Sequence, residues 1–267
     1  MLKRVLSAVV LLALVAVCFG VSRITAVLLV AVCASLCCYE LARSQKKQGR
    51  NPVGELSYVM IAACAAVIYF KLSFIWVAAV VSVLFLAAFL ICMYDKKRTA
   101  LDALLTLGML IYPCLPAVGI IYACTLESYK WLVVILTGLL SAVSCDTFAL
   151  FGGMAFGRHK LAPEISPKKT IEGSISGMVV TVGVAAGAWF LFNEYIACNL
   201  WLYMLTAFVC TITSQIGDLA ASFIKREAGI KDFSNLIPGH GGMLDRIDSI
   251  ILSIPTAFVL LTLFKGI

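Results

Sequence analysis

Apolar segments long enough to cross a lipid bilayer recur along this whole chain, and they constrain its fold more than any other feature. A hydrocarbon core about 30 Å thick takes roughly 20 helical residues to cross. Spanning segments in lipid must satisfy their own backbone hydrogen bonds, and no segment here alternates as a barrel strand does. The sequence therefore predicts an all-α, polytopic membrane protein with about nine transmembrane helices, at residues 5 to 21, 24 to 42, 56 to 70, 73 to 94, 100 to 123, 129 to 150, 173 to 192, 200 to 224 and 247 to 264.

Composition and the placement of basic residues support this prediction. Hydrophobic residues make up 62% of the chain and charged residues only 13%, which excludes an ordinary soluble domain. Because Lys and Arg are retained on the cytoplasmic side, we expect a cytoplasmic N-terminus and an outside C-terminus. With that topology, the basic residues that fall outside are only Arg23, Lys71, Lys130 and Lys265. The net charge of +7 reflects the cytoplasmic loops and their attraction to anionic lipids, and does not indicate nucleic acid.

Asp218 is the clearest functional candidate because it lies well inside the eighth apolar segment. A carboxylate at that depth costs several kcal/mol unless it faces a wet cavity or a cation. Thr211, Ser214, Asp218 and Ser222 are spaced three or four residues apart, so on a helix they form one polar stripe directed away from lipid. The alternative interpretation of this stripe is a polar seam that joins two helices.

The stretch that follows, residues 225 to 246, combines glycine with basic side chains. Pro238, Gly239, Gly241 and Gly242 predict a tight loop whose backbone can approach a ligand closely. Positive charge is brought to the same end of the bundle by Lys225, Arg226, Lys231 and Arg246. Such a loop suits phosphate groups.

Two further carboxylates, Asp245 and Asp248, stand three residues apart at the predicted start of the ninth helix. Carboxylate oxygens suit Mg²⁺ or Mn²⁺. We therefore predict that Asp218 and Asp245 hold one hard cation between two helices, with Asp248 and Asp146 as further candidate ligands and a second cation left open. The alternative is that Asp245 and Asp248 only stabilise a helix N-terminus.

A second loop, at residues 151 to 172, has a similar composition. It contains three glycines together with Arg158, Lys160, Lys168 and Lys169. The run Ser166 to Thr170 predicts a second site for anions in an ordered turn before the next helix. The alternative is a basic loop that merely sets the topology.

In three of its segments the chain resembles the phosphatidate cytidylyltransferases, also called CDP-diacylglycerol synthases. The resemblance is carried by SFIKREAGIKDFSNLIPGHGGMLDRID from Ser222 to Asp248, by SPKKTIEG from Ser166 to Gly173, and by QIGD from Gln215 to Asp218. It implies an Mg²⁺-dependent nucleotidyltransferase of phospholipid biosynthesis that transfers CMP from CTP to phosphatidic acid, giving CDP-diacylglycerol and pyrophosphate. No serine or cysteine nucleophile is then needed, because the lipid phosphate is itself the nucleophile.

The resemblance also implies roles for individual residues. The residues expected in catalysis are Asp218, Lys225, Arg226, Asp245 and Arg246. Substrate binding is expected of Ser166, Lys168, Lys169, Thr170, Ser222, Lys231, His240, Gly241 and Gly242. The metal ligands are expected to be Asp218 and Asp245, with Asp248 and Asp146 as further candidates.

The expected organisation places a scaffold of transmembrane helices at residues 1 to 139 and the catalytic helices at 140 to 267, with cytoplasmic loops at 151 to 172 and 225 to 246. The expected partners are CTP, phosphatidic acid and membrane lipids, with a homodimer as the candidate oligomer. The expected location is a bacterial-type cytoplasmic membrane, with the active site facing the cytoplasm.

Two other functions explain part of the pattern. A cation-coupled transporter would use an intramembrane Asp218 and a broken polar stripe, but it does not require the PGHGG or SPKK segments. A CTP-dependent polyprenol kinase would use the same nucleotide, but its alcohol acceptor would require a general base. Assays with phosphatidic acid, an isoprenoid alcohol or an ion gradient distinguish the three.

Overall fold

The computed structural model describes residues 2–196, 198–237, 239 and 241–264. Its helices are α1 (Leu2–Val21), α2 (Arg23–Lys46), α3 (Glu55–Tyr69), α4 (Phe74–Tyr94), α5 (Ala100–Met109), a π-helical turn (Leu110–Cys114), α6 (Leu115–Ala123), α7 (Lys130–Phe156), α8 (Ile171–Phe192), α9 (Leu200–Glu227), α10 (Leu244–Ile247) and α11 (Ile250–Leu263). Every predicted apolar segment coincides with a helix or with adjoining helices, so the mostly helical fold is confirmed.

Six helical stretches within the described residues are long and apolar enough to cross a membrane. They are α2, α4, the stretch from Ala100 to Ala123, α7, α8 and α9. Two further apolar helices, α3 and α11, are shorter. The chain is therefore an integral membrane protein.

The prediction that every element is helical is wrong in the loop at residues 151 to 172. Two short strands, β1 (Lys160–Ala162) and β2 (Ser166–Thr170), form an antiparallel hairpin in which Lys160 pairs with Thr170. The loop lies outside the apolar segments, so its backbone is not required to form a helix. Thr170 then begins α8, because its hydroxyl accepts a hydrogen bond from Gly173 N at 3.2 Å.

The last apolar helix also differs from its prediction. Asp245 lies in the one-turn helix α10, whereas Asp248 lies in the turn before α11, which begins only at Ile250. Asp248 Oδ1 accepts a hydrogen bond from the backbone of Ser249 at 2.8 Å, a local bond that competes with helix formation. The two carboxylates therefore do not start one continuous helix.

The chain divides into two compact units. The first contains Met1–Thr125 and Glu227–Arg246. Its core includes Met60, Met109 and Ile121, each almost completely buried. A buried carboxylate, Asp102, fixes the segment after α2 by accepting hydrogen bonds from Asn51 N at 2.5 Å and Thr99 N at 2.8 Å.

The second unit contains Leu126–Arg226 and Ile247–Ile267. In it α7 packs against α8 and α11, and Ser253 Oγ donates to Gly138 O at 2.8 Å across the second of these contacts. α9 comes close to the turn before α11 at a glycine, since a Cβ on Gly217 would lie only 2.2 Å from Asp248 O. This approach places the residue after Gly217, Asp218, near Asp248.

The predicted division into scaffold and catalytic parts at residue 139 is a functional one and stays a prediction. The structural division follows different boundaries, because the segment from Glu227 to Arg246 packs with the N-terminal helices.

Candidate functional site

The polar stripe predicted on α9 is buried in the second unit. Thr211 and Ser214 are fully buried and Ser222 nearly so, whereas the side chain of Asp218 is 24% exposed. A helix with this pattern directs its hydroxyls into the protein and leaves the carboxylate at a partly accessible position. The three hydroxyl side chains of the stripe therefore face the protein interior, and the orientation of Asp218 relative to lipid stays a prediction.

Asp218 has the cationic partner that its depth requires. Its Oδ2 forms an ion pair with Lys169 Nζ, and its Oδ1 accepts a hydrogen bond from Ser222 Oγ at 3.3 Å. Lys169 is presented by β2, a strand that the sequence did not predict. The partner of the intramembrane acid is thus a lysine from the hairpin.

Two more carboxylates of the second unit lie close enough to Asp218 to interact with it electrostatically. Asp146, on α7, is exposed and accepts a hydrogen bond from the side chain of Ser249. Asp248 is only 8% exposed. Its carboxylate lies within range of the negative charge of Asp218 and of the positive charge of Lys225. Three acids that repel one another make a place where positive charge is stabilising.

The hairpin that contains Lys169 is held by hydrogen bonds at its base and near its turn. At the base, the carboxylate of Glu172 accepts hydrogen bonds from Arg158 N at 3.1 Å and from His159 N at 3.2 Å, and contacts His159 Nδ1 at 2.6 Å. Near the turn, Arg226 Nε donates to Ile165 O at 3.1 Å. These contacts fix the strand on which Lys169 lies.

The other residues predicted to bind anions in this hairpin have different environments. Lys168 is exposed and Ser166 is half-buried, so both side chains are accessible. Thr170 is buried and its hydroxyl is used to cap α8. Of the predicted anion-binding residues in this segment, Lys169 is the one that meets an acid.

In the first unit, the loop from Glu227 to Arg246 is organised by the carboxylate of Asp245. Its Oδ2 accepts hydrogen bonds from Phe233 N at 2.9 Å and Gly242 N at 3.0 Å. Gly241 adopts a φ of +85°, and its carbonyl accepts a hydrogen bond from Ile237 N at 2.9 Å. Glycine is required at this φ because side chains rarely tolerate it.

The remaining predicted residues of this loop are placed as follows. Lys231 and Arg246 are exposed, and Gly242 is buried. Pro238 and His240 lie outside the described residues.

Glu40, near the C-terminal end of α2, is not among the functional residues that the sequence predicted. This side chain is 1% exposed, and its Oε1 accepts hydrogen bonds from Ser234 Oγ at 2.5 Å and Met243 N at 2.9 Å. Its Oε2 accepts a hydrogen bond from Leu244 N at 2.9 Å. Its partners are about 200 residues away in the chain, so no local pattern pointed to it; the only signal was a carboxylate at the end of an apolar run.

Asp218 belongs to the second unit and Asp245 to the first, so the prediction that they share one cation stays a prediction. The second unit also holds Lys225, Arg226, Asp146 and Asp248, whereas Lys231, Gly241, Gly242 and Arg246 lie in the first. Within the described part of the chain, no three acidic, His or Cys side chains converge closely enough to surround a metal ion by themselves. The carboxylates of the second unit are nevertheless hard oxygen donors, which fit Mg²⁺ when water or phosphate completes the coordination.

Comparison with known proteins shows similarity over nearly the whole chain. The model of the cytidylyltransferase family matches residues 2–264. A phosphatidate cytidylyltransferase of Rickettsia bellii is 38% identical over 173 residues, which are 62% of this chain and 71% of that protein. A phosphatidate cytidylyltransferase of Bacillus subtilis is 41% identical over 122 residues, covering 46% of this chain and 45% of that protein. One from Staphylococcus haemolyticus is 41% identical over 133 residues, or 50% and 47% of the two chains.

Proposed function

The chain belongs to the cytidylyltransferase family, and we propose that it transfers CMP from CTP to phosphatidic acid, giving CDP-diacylglycerol and pyrophosphate. Relatives named phosphatidate cytidylyltransferase in several bacteria support this substrate pair. The observation in the molecule that carries the proposal is the half-buried Asp218, paired with Lys169 and close to two further acids. A catalyst of transfer between phosphates needs such a set of opposite charges.

The reaction needs positioning and charge neutralisation more than covalent help from the protein. A phosphate oxygen of phosphatidic acid attacks the α-phosphorus of CTP and forms the new P–O bond. The bond from that phosphorus to the β-phosphate bridging oxygen breaks, and pyrophosphate leaves with the electron pair. The residues proposed to hold the phosphates are Lys168, Lys169, Lys225, Arg226 and Arg246, with Ser166, Thr170, Ser222, Lys231, His240 and Gly241 as further contacts. The Gly242 amide, also expected to bind substrate, already donates to Asp245.

In this proposal Asp218 and Asp245 bind Mg²⁺, with Asp146 and Asp248 as the further candidates for a second cation. Carboxylates and phosphate oxygens are the ligands that Mg²⁺ prefers, and Mn²⁺ accepts the same set. When bound, the metal supplies positive charge that stabilises the leaving pyrophosphate. Lys169 places an ammonium group next to Asp218, so it supplies further positive charge beside the proposed metal ligand.

The proposed membrane topology gives both substrates access to the site. Nine apolar segments with a cytoplasmic N-terminus and an outside C-terminus would place the loops at 151 to 172 and 225 to 246 on the cytoplasmic side, where CTP is available. Phosphatidic acid would enter sideways from the inner leaflet of a bacterial-type cytoplasmic membrane. A homodimer remains the candidate assembly.

The test is an assay of the purified wild-type protein in detergent, with labelled CTP, phosphatidic acid and Mg²⁺. We expect labelled CDP-diacylglycerol that requires both substrates and disappears when EDTA removes the metal. Ion-dependent uptake into liposomes without turnover would favour the transporter. Transfer of the γ-phosphate of CTP to an isoprenoid alcohol would favour the polyprenol kinase.

A further inference from the structure

Glu40 is a buried acid for which the proposed reaction has no use. It lies near the end of α2 and is 1% exposed. A carboxylate buried to this degree is stabilised only when its oxygens receive hydrogen bonds. Among the described residues, three groups donate hydrogen bonds to it, and all three lie in the loop that follows α9: Ser234 Oγ, Met243 N and Leu244 N. Glu40 therefore interacts mainly with this loop.

Glu40 and Asp245 together bind three successive backbone N–H groups. The amide of Gly242 donates to Asp245 Oδ2, and the next two amides, of Met243 and Leu244, donate to Glu40. Successive amides that point the same way form a site for anions. Here the anions are the protein's own carboxylates, so these three N–H groups are occupied before any phosphate arrives.

The fit of Glu40 also explains why residue 242 is glycine. A Cβ at this position would lie 2.6 Å from both carboxylate oxygens of Glu40. The sequence predicted that glycine here lets the backbone approach a ligand. In the structure, the absence of a side chain at Gly242 lets the backbone approach Glu40, which is part of the protein itself.

We propose that Glu40 is a positioning residue for the transfer reaction, acting through the loop on which Asp245 and Arg246 lie; this inference rests on the proposed function. Glu40 fixes the backbone of the two residues before Asp245. Asp245 in turn fixes Phe233 and Gly242. The two carboxylates set the position of the loop, and the chemistry depends on that position.

The test compares two isosteric changes of buried acids in the first unit, Glu40→Gln and Asp102→Asn. Both carboxylate oxygens of Glu40 accept hydrogen bonds from the loop. Gln has only one acceptor oxygen, and its NH₂ group would face one of the loop's donors, so at least one of these hydrogen bonds is lost. Asp102 is 3% exposed and accepts hydrogen bonds from the backbone N–H groups of Asn51 and Thr99, which lie outside the loop. Its variant therefore controls for the loss of a buried carboxylate that does not bond the loop itself.

We expect Glu40→Gln to lower kcat by about tenfold to a hundredfold, because small displacements of reacting groups have effects of this size. The Mg²⁺ concentration for half-maximal activity should rise, while KM for phosphatidic acid changes little. Hydrogen exchange should become faster in the peptide that contains residues 241 to 246. Asp102→Asn should keep kcat and the Mg²⁺ dependence, at matched amounts of folded protein. Equal kcat and Mg²⁺ dependence in the two variants would overturn the proposal.

Ser234→Ala covers the case in which Glu40→Gln does not fold. It removes one of the three bonds to Glu40 and leaves the two backbone donors satisfied, and it also removes the acceptor of Leu236 N in the same loop. A severalfold loss of kcat with faster exchange at 241 to 246 is expected, and wild-type behaviour in both measurements would refute the role of Glu40. If the wild-type protein itself does not convert CTP and phosphatidic acid, the proposed function fails. The exchange measurement then still reports whether Glu40 holds the loop.

Discussion

Asp245 and Glu40, in the first unit, receive most of their hydrogen bonds from backbone N–H groups, whereas Asp218 and Asp146, in the second, interact with side chains. A carboxylate held by backbone amides fixes the path of a loop and changes partners only if that loop moves. A carboxylate held by a lysine or a hydroxyl can exchange those partners for a ligand. The contrast indicates that Glu40 and Asp245 mainly fix geometry, whereas the charges around Asp218 and Asp146 can be rearranged.

The strongest test of this contrast is Asp218→Asn. Loss of the charge should reduce turnover by about a thousandfold or more, because metal and charge stabilisation supply several kcal/mol of the barrier. The thermal unfolding midpoint should change little, since Asn keeps an acceptor for Ser222. Labelled CDP-diacylglycerol formation and circular dichroism in detergent measure the two. Asp95→Asn, at the end of α4 and not among the residues proposed to act in the reaction, serves as control. Turnover comparable to wild type in Asp218→Asn would contradict the assignment.

Asp245 offers a pair of variants that separates geometry from charge. Asp245→Ala leaves the N–H groups of Phe233 and Gly242 without their acceptor, so the free energy of unfolding should fall by about 1 to 3 kcal/mol together with turnover. Asp245→Asn retains an oxygen that both N–H groups can use, and should lose turnover about a hundredfold with little loss of stability. If both variants are equally unstable, the oxygen at Oδ2 is not what organises the loop.

Lys169→Met removes the cation beside Asp218. A hydrogen bond to a charged group contributes about 1.5 to 3 kcal/mol, so kcat/KM for CTP should fall by about tenfold to a hundredfold. Steady-state kinetics at several CTP concentrations give this value. Lys160→Met, in the other strand of the hairpin, is the control for lost positive charge. A similar loss in both variants would mean that the loop attracts CTP only through its net charge.

The smallest effect is expected from Gly242→Ala. The new Cβ would displace the carboxylate of Glu40, and overpacking of this kind lowers stability by about 1 to 3 kcal/mol. Turnover should fall by about tenfold or less, because Asp218 and Lys169 are untouched. Gly108→Ala in α5 is the matched control in the same unit, since a Cβ there would meet nothing within 4 Å. Equal unfolding midpoints for the two variants would argue against tight packing at Gly242.

Much of the helical architecture could be predicted, because crossing a bilayer imposes a length and an apolar composition that are visible locally. The buried stripe of Thr211, Ser214 and Ser222 followed from helical spacing alone. The hairpin at residues 160 to 170 was missed because strands of three and five residues leave almost no periodic signal. Pro163, at the start of the turn between them, was the available indication. The break before α11 was missed because a single side-chain bond from Asp248 to the next residue decides it.

The site was predictable in its residue types and less so in its contacts. A carboxylate inside an apolar helix must find a cation, and this requirement pointed to Asp218 without naming Lys169. Glu40 could not be assigned in this way, since its partners lie about 200 residues further along the chain. Gly242 was expected to let the backbone approach a ligand, which stays a prediction; the group that lies close to it in the structure is the side chain of Glu40, in α2.

The hydrogen bonds at the two ends of the hairpin affect the free energy with which a nucleotide binds. With Glu172 securing one end of the strand pair and Arg226 the other, the ammonium of Lys169 stands in place before any anion binds. Little conformational freedom is then lost from this segment on association. A preorganised positive charge binds an anion more tightly than the same charge on a flexible loop, because no conformational entropy is lost in ordering the loop.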